Sequence, residues 1–230
     1  MAFGLETLGG LGEAASLGPI LLSLKTTCVV APLLAVSGVG IGYLLGRGRS
    51  RWTSLLDFVV TAPLVFPPIA TGFLLLLLLG RRGYFGRFLG EAFGLEIIFS
   101  FWGVALAAFL AGLPLIVKPV QAAVRGETSL LIEAAYVLGK SPWTTFFRVV
   151  LPSIRKGAAI GFFLAVARSL GEVGVTLMLG GNIAGKTNTI SLEIYNAVFT
   201  GEYDRAMALV MALGAVSLLL LVATRRLSAE

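Results

Sequence analysis

Five apolar stretches alternate with short polar connections along the chain, at about 19–45, 55–79, 97–117, 157–179 and 206–223. A helix crosses the hydrocarbon core with about 20 residues, and backbone polar groups in lipid must be satisfied within the segment. The pattern therefore predicts five membrane-spanning helices and no strands. The longest polar connection, 118–156, carries its own periodicity. Leu130, Leu131, Ala134, Ala135, Val137 and Leu138 recur near the helical period and predict a short helix there. Thr128 or Ser129 is placed to cap its start, with Glu133 a turn further on. Gly139 is expected to end it, and Ser141 with Pro142 to start a second short helix, so that two helices lie across one membrane face.

Two stretches depart from a plain apolar helix. The second contains Pro63, Pro67 and Pro68, each of which removes a backbone donor. This reads either as an irregular helix in a bundle or as a helix broken beside a translocation path. The first carries Gly38, Gly40 and Gly42, which in an apolar helix predict a close approach by a neighbouring helix rather than a dinucleotide loop.

Composition supports the membrane reading. The 230 residues are 57% apolar and 13% charged, with mean hydropathy +0.93, against about 25% charged in soluble domains. The net charge of +6 lies in short loops and not along a stripe interleaved with aromatics, which argues for topology control and against nucleic-acid binding. With the N-terminus outside, Arg47, Arg49, Arg51, Lys118, Arg125, Lys140, Arg148, Arg155, Lys156, Arg225 and Arg226 fall on the cytoplasmic side. Arg81, Arg82, Arg87 and Lys186 fall outside, the three arginines running against the rule. Residues 1–18 hold Glu6 and Glu13 and no Lys or Arg, so they read as an extramembrane or interfacial lead-in and not a signal peptide. The transmembrane region is expected over 19–224, with 118–156 as its cytoplasmic loop and 225–230 as a cytoplasmic tail.

Candidate chemistry is sparse. Histidine is absent, which removes the usual general base and His-based metal sites. The single cysteine, Cys28, reads as a packing residue. Residues 180–187, from Gly180 to Gly185, Lys186 and Thr187, fit the phosphate-loop pattern but follow a spanning helix and not a strand. They read as a cap on the fourth helix that shapes the outer mouth. Arg168 and Glu172 lie four apart in the fourth stretch, where a helix would put them on one face. They form either a structural pair or a pathway-lining site, since a charge in a spanning helix costs about 2.5–3.5 kcal/mol. Gly171 and Gly174 would give the backbone room there. Asp57 lies where it can reach interfacial water.

The most specific signal is Glu133, Ala134, Ala135, three residues, Gly139, nine residues, then Val149, Val150, Leu151 and Pro152. It resembles the EAA signature of importer-type ABC permeases, with Val149 where isoleucine is usual. The resemblance extends over nearly the whole chain to the MetI-like, binding-protein-dependent importer superfamily and, within it, to the molybdate (ModB) type. The stretches 62–68, 80–83, 147–152, 167–174 and 181–187 carry it. It implies the type I importer fold, all-α, with a coupling helix that docks on an ATPase subunit through Glu133, Ala134, Ala135, Gly139, Val149, Leu151 and Pro152. In that frame Ala134 and Ala135 keep one face thin, and Pro152 begins the next spanning helix. The pathway or gate candidates are Pro67, Pro68, Arg168, Ser169, Glu172 and Thr176. The implied protein is a permease subunit in a prokaryotic plasma or inner membrane, non-catalytic and without a cofactor of its own. Its partners would be a second copy of itself, two ATPase subunits that use ATP and Mg, and an extracytoplasmic oxyanion-binding protein. Its cargo would be an oxyanion, molybdate first, with tungstate or sulfate/thiosulfate as alternatives. An ion-coupled carrier would need coupling-ion carboxylates, for which Glu172 is nearly the only central candidate. An intramembrane enzyme would need a nucleophile–base pair.

Overall fold

The structure, a computed structural model, describes residues 14–229, and these are helical throughout apart from short connections. The helices are α1 (Ala14–Arg47), α2 (Arg51–Val65), α3 (Pro68–Leu79), α4 (Tyr84–Phe93), α5 (Phe101–Arg125), α6 (Glu127–Val137), α7 (Pro142–Thr145), α8 (Leu151–Leu170), α9 (Gly174–Gly180), α10 (Ile190–Thr200) and α11 (Tyr203–Ala229). Among the described residues, four helices are long and apolar enough to cross a membrane: Leu17–Arg47, Phe101–Arg125, Pro142–Leu170 and Tyr203–Arg226. α3 and α4, bent by 49° at their junction, pass the same length and apolarity test only when taken together.

Several sequence expectations change. The stretch 55–79 is two helices, each too short to cross alone. Pro67 adopts φ −55°, ψ 130°, as expected of a residue before proline, and Pro68 supplies no N–H to continue the ladder. The stretch 157–179 is also broken, because α8 stops at Leu170 and α9 starts at Gly174. The third span runs on to Arg125, so Lys118 lies inside a helix and not in a loop. Arg225 and Arg226 are likewise within α11. The expected lead-in overlaps α1 from Ala14. Its first part, with Glu6 and Glu13, lies outside the described residues.

The chain divides into two compact units. The first holds α1 up to Val30, Phe66–Ala108 and Ser169–Leu218. Its apolar centre is Ala107, Val175 and Leu179, with Leu75, Ile98 and Leu106 packed around them. The second holds Ala31–Val65, Phe109–Arg168 and the end of α11 from Leu219.

In the second unit α1 lies directly on α5. A Cβ on Gly38 would stand 2.3 Å from Ile116, one on Gly42 2.6 Å from Val120, and one on Gly46 2.6 Å from Val124. These three glycines are four apart, one helical turn each, so the backbones meet along a groove that only hydrogen side chains leave open. Gly40, expected in this set, has nothing within 4 Å of its Cβ position and faces elsewhere. Cys28, expected to pack, is exposed among the described residues.

Candidate functional site

Within the first unit, α3 packs on α9 just past the break that begins each helix. A Cβ on Gly174 would meet the Pro68 Cβ at 2.8 Å, and one on Gly72 would meet Met178 at 2.8 Å. The structure therefore brings Pro68, at the start of α3, against the start of α9. Pro67 sits at the α3 cap and is exposed. Glu172 is 3% exposed, and its Oε1 accepts a hydrogen bond from the Val175 backbone N–H at 2.8 Å. That bond satisfies one of the donors a helix start leaves orphaned. The expectation that Arg168 and Glu172 share a helix face fails, because Arg168 is in the last turn of α8 and Glu172 lies beyond its end.

Ser169 and Leu170 tie the end of α8 to its neighbours. The Ser169 hydroxyl donates to the Ala108 carbonyl at 2.7 Å, and the Ser191 hydroxyl donates to the Leu170 carbonyl at 2.6 Å. The Leu170 carbonyl, freed by the end of the helix, thus receives a side-chain donor, and Ser169 fastens that end to the middle of α5. Thr176 is buried in α9.

Residues 180–187 close on themselves. The Thr187 hydroxyl donates to the Gly180 carbonyl at 2.7 Å and accepts from the Ile183 N–H at 2.8 Å. Gly181, at φ +75°, ends α9, and its N–H returns to the Leu177 carbonyl. The loop is a helix cap, as its context in the sequence implies. Beside it, the buried Glu193 is paired with Arg205 and accepts from Asn188, while Asn196 bonds Asn182. The sequence reading did not single out this network.

The EAA-like segment lies in the second unit. α6 begins at Gly126 without a side-chain cap. Neither Thr128 nor Ser129 caps it: Thr128 is buried, and the Ser129 hydroxyl donates to the Gly126 carbonyl at 2.8 Å. Its end is as expected. The Gly139 N–H bonds the Tyr136 carbonyl at 2.9 Å and the Lys140 N–H bonds Ala135 at 3.0 Å. Gly139 takes φ +68°, a left-handed conformation that glycine adopts without a Cβ penalty. Ser141 caps the next helix by accepting from the Thr144 N–H at 3.3 Å.

That next helix is not a second surface helix. It runs unbroken from Pro142 to Leu170, through a π-helical turn at Phe146–Val150 in which the Leu151 N–H reaches the Phe146 carbonyl. Pro152 follows that turn inside the helix and does not start it. Such a turn is one way a helix adjusts its ladder around a residue without an N–H. The alanine pair also divides. Ala135 is buried with Ile132 against the unit, and Ala134 and Glu133 face out. Val137 at 88% exposure, Leu138 at 75% and Trp143 at 75% extend this outward apolar surface.

Two further links lie in the second unit. The Arg47 guanidinium donates to the Tyr136 hydroxyl at 2.8 Å and lies over the Tyr136 ring, joining the end of α1 to α6. Lys118 on α5 pairs with Asp57 on α2 at 2.7 Å, both half-buried. Asp57 thus has a protein partner, where the sequence suggested only water. Its spacing of 61 residues from Lys118 left no local signal.

The sequence profile of the binding-protein-dependent transport system inner membrane component matches residues 38–229. The molybdenum transport system permease protein ModB of Escherichia coli K12 is 38% identical over 215 residues, covering 92% of this chain and 94% of that one. ModB of Azotobacter vinelandii is 39% identical over 191 residues, covering 83% and 84%. The sulfate transport system permease protein CysW of Synechococcus elongatus is 33% identical over 211 residues, covering 92% and 73%. Among solved structures, a chain of a bacterial alginate ABC transporter in complex with an alginate-bound periplasmic protein superposes with a TM-score of 0.77 at 17% identity, covering 98% of this chain and 83% of that one. With a profile that takes in the EAA-like segment, both helix breaks and the final span, this chain belongs to the inner-membrane components of binding-protein-dependent transport systems, the ABC importer permeases.

Proposed function

We propose that the chain is the membrane-spanning permease subunit of an ATP-driven importer that carries molybdate into the cytoplasm. The observation that carries this reading is the identity of 38% to 39% with ModB proteins over most of both chains, against 33% with a sulfate permease. In this reading the chain hydrolyses nothing and holds no cofactor. ATP and Mg act on two ATPase partners, a second copy of the chain completes the pathway, and a binding protein outside delivers the oxyanion. The N-terminus lies outside and the loop holding α6 inside.

The outward face of α6, with Glu133, Ala134, Val137 and Leu138, docks on the ATPase. Gly139 turns the chain from there into the long helix that carries Val149, Leu151 and Pro152. The Arg47–Tyr136 bond ties this coupling helix to α1, so a displacement of α6 is passed to a spanning helix. The paired breaks at Pro67–Pro68 and at 171–173, with Arg168, Ser169, Glu172 and Thr176 around the second, are the gate region. Broken helices at a pathway expose backbone groups to permeant ions, and they bend where an intact ladder would resist.

The test is uptake of labelled molybdate by proteoliposomes holding the chain with the ATPase and binding protein of its own genome. Uptake is expected to require ATP and binding protein, and to be competed better by tungstate than by sulfate. Uptake that persists without ATP would point to an ion-coupled carrier, and transport of sulfate in place of molybdate would reassign the cargo.

A further inference from the structure

α4 is a sharply two-faced helix. Tyr84, Phe85, Phe88, Leu89, Ala92 and Phe93 fall on one side, and Arg87, Gly90 and Glu91 on the other. The apolar side is not covered by the described residues: Tyr84 is 87% exposed, Phe93 65% and Phe88 59%. Its polar side is closed by Arg87 and Glu91, which pair at 2.8 Å. Arg81, before the helix, pairs with Glu96, after it, at 2.8 Å. Arg81 holds the Glu96 carboxyl below its ordinary range, so the pair persists through neutral pH.

Its neighbours in sequence place it. α3, which ends five residues earlier at Leu79, is apolar all round, with Leu74, Leu77 and Leu78 exposed. α5, a spanning helix, begins at Phe101, and Phe99 and Trp102 at its start are exposed aromatics. α4 therefore lies between the end of an apolar helix with exposed leucines and the start of a spanning helix with exposed aromatics. With 10 residues it is about 15 Å long, half of a hydrocarbon core. Crossing would also bury the Arg87–Glu91 pair in lipid. A short helix with an aromatic face, a charged face and little net charge suits the headgroup boundary, where aromatic residues gather.

We propose that α4 lies in the plane of the membrane interface as an amphipathic anchor, its aromatic face in the acyl-chain boundary and Arg87 and Glu91 toward water. It is then not the second half of a span: the crossing expected over 55–79 ends with α3, and the bend of 49° after it is the turn onto the bilayer surface. The anchor fixes the height and rotation of α3, which packs on α9. The inference rests on the membrane reading and not on the choice of cargo.

The test is a nitroxide scan of the assembled transporter in lipid nanodiscs, on a Cys28→Ala background. Single cysteines replace Phe85, Arg87, Phe88, Gly90, Glu91 and Ala92 in turn. Gly86 is left out because a Cβ there would meet the Gly80 carbonyl oxygen at 2.1 Å. Accessibility to oxygen, which partitions into lipid, is compared with that to a water-soluble nickel chelate. The oxygen-to-nickel ratio is expected to be severalfold higher at 85, 88 and 92 than at 87, 90 and 91. Nickel access at every position would place α4 in water, against a binding protein. Low access to both probes at 85, 88 and 92 would mean a protein cover, such as a second copy. Lipid-like values at all six would make it part of a span. Each of these overturns the proposal. Leu77→Cys on α3 is the control: a lipid-like value there beside an aqueous α4 rejects the anchor and leaves the membrane reading standing. Only variants that keep ATP-dependent uptake are scored, and positions 85 and 92 carry the comparison if 88 fails.

Discussion

Asp57 and Lys118 show what a single pair contributes in this setting. A lone charge in a membrane segment is costly, and each partner half-buries its charge against the other at 2.7 Å. Asp57→Asn and Lys118→Gln should each lower the melting temperature in detergent, and the double variant should lose less than the sum. The coupling should be about 0.5–3 kcal/mol, and additivity would reject it. Glu172 acts differently, through the Val175 N–H it accepts. Glu172→Leu leaves that donor without its partner and should cost about 1–3 kcal/mol, measured as thermal stability. Glu172→Gln keeps an acceptor for that N–H and should lose less than Glu172→Leu. Equal losses in the two variants would mean that charge, and not the cap, is what the position needs.

At the scale of elements, the glycine groove between α1 and α5 governs packing. Gly42→Ala should press on Val120 and cost about 1–3 kcal/mol, as overpacked contacts do. Gly40→Ala, with open space at its Cβ position, should be neutral in the same melting assay. Residue order alone gave no way to choose between Gly40 and Gly42, because all three predicted glycines lie within one and a half turns. The next member on the groove, Gly46, was identifiable only once the face was known. The helix breaks were partly legible. Pro67 and Pro68 announced the first, since a proline and the residue before it leave the helix for covalent reasons. The second, at 171–173, has only glycines as a signal, and glycines in an apolar helix serve packing as often as breaks. At Pro152 the sequence misled in the other direction: a proline expected to start a helix is accommodated inside one behind a π-helical turn.

At the scale of the molecule, the reading is of a machine part that receives force at α6. Glu133→Arg changes an exposed side chain and no buried contact. It should leave the chain inserted and as stable as the parent, while ATP-dependent uptake falls to background. Full uptake in this variant would count against α6 as the docking element.

Membrane residence, the all-helical class and the family were determined by the sequence itself. Apolar segments of spanning length allow only helices in lipid, and the EAA-like spacing is a local pattern that survives without any knowledge of contacts. Where spans stop, which glycines meet a neighbour, and which charge answers which were decided by tertiary structure alone. Asp57 with Lys118, Arg47 with Tyr136 and Glu193 with Arg205 are pairs that depend on how helices turn toward one another. That rotation is fixed by packing between segments, which no single segment encodes.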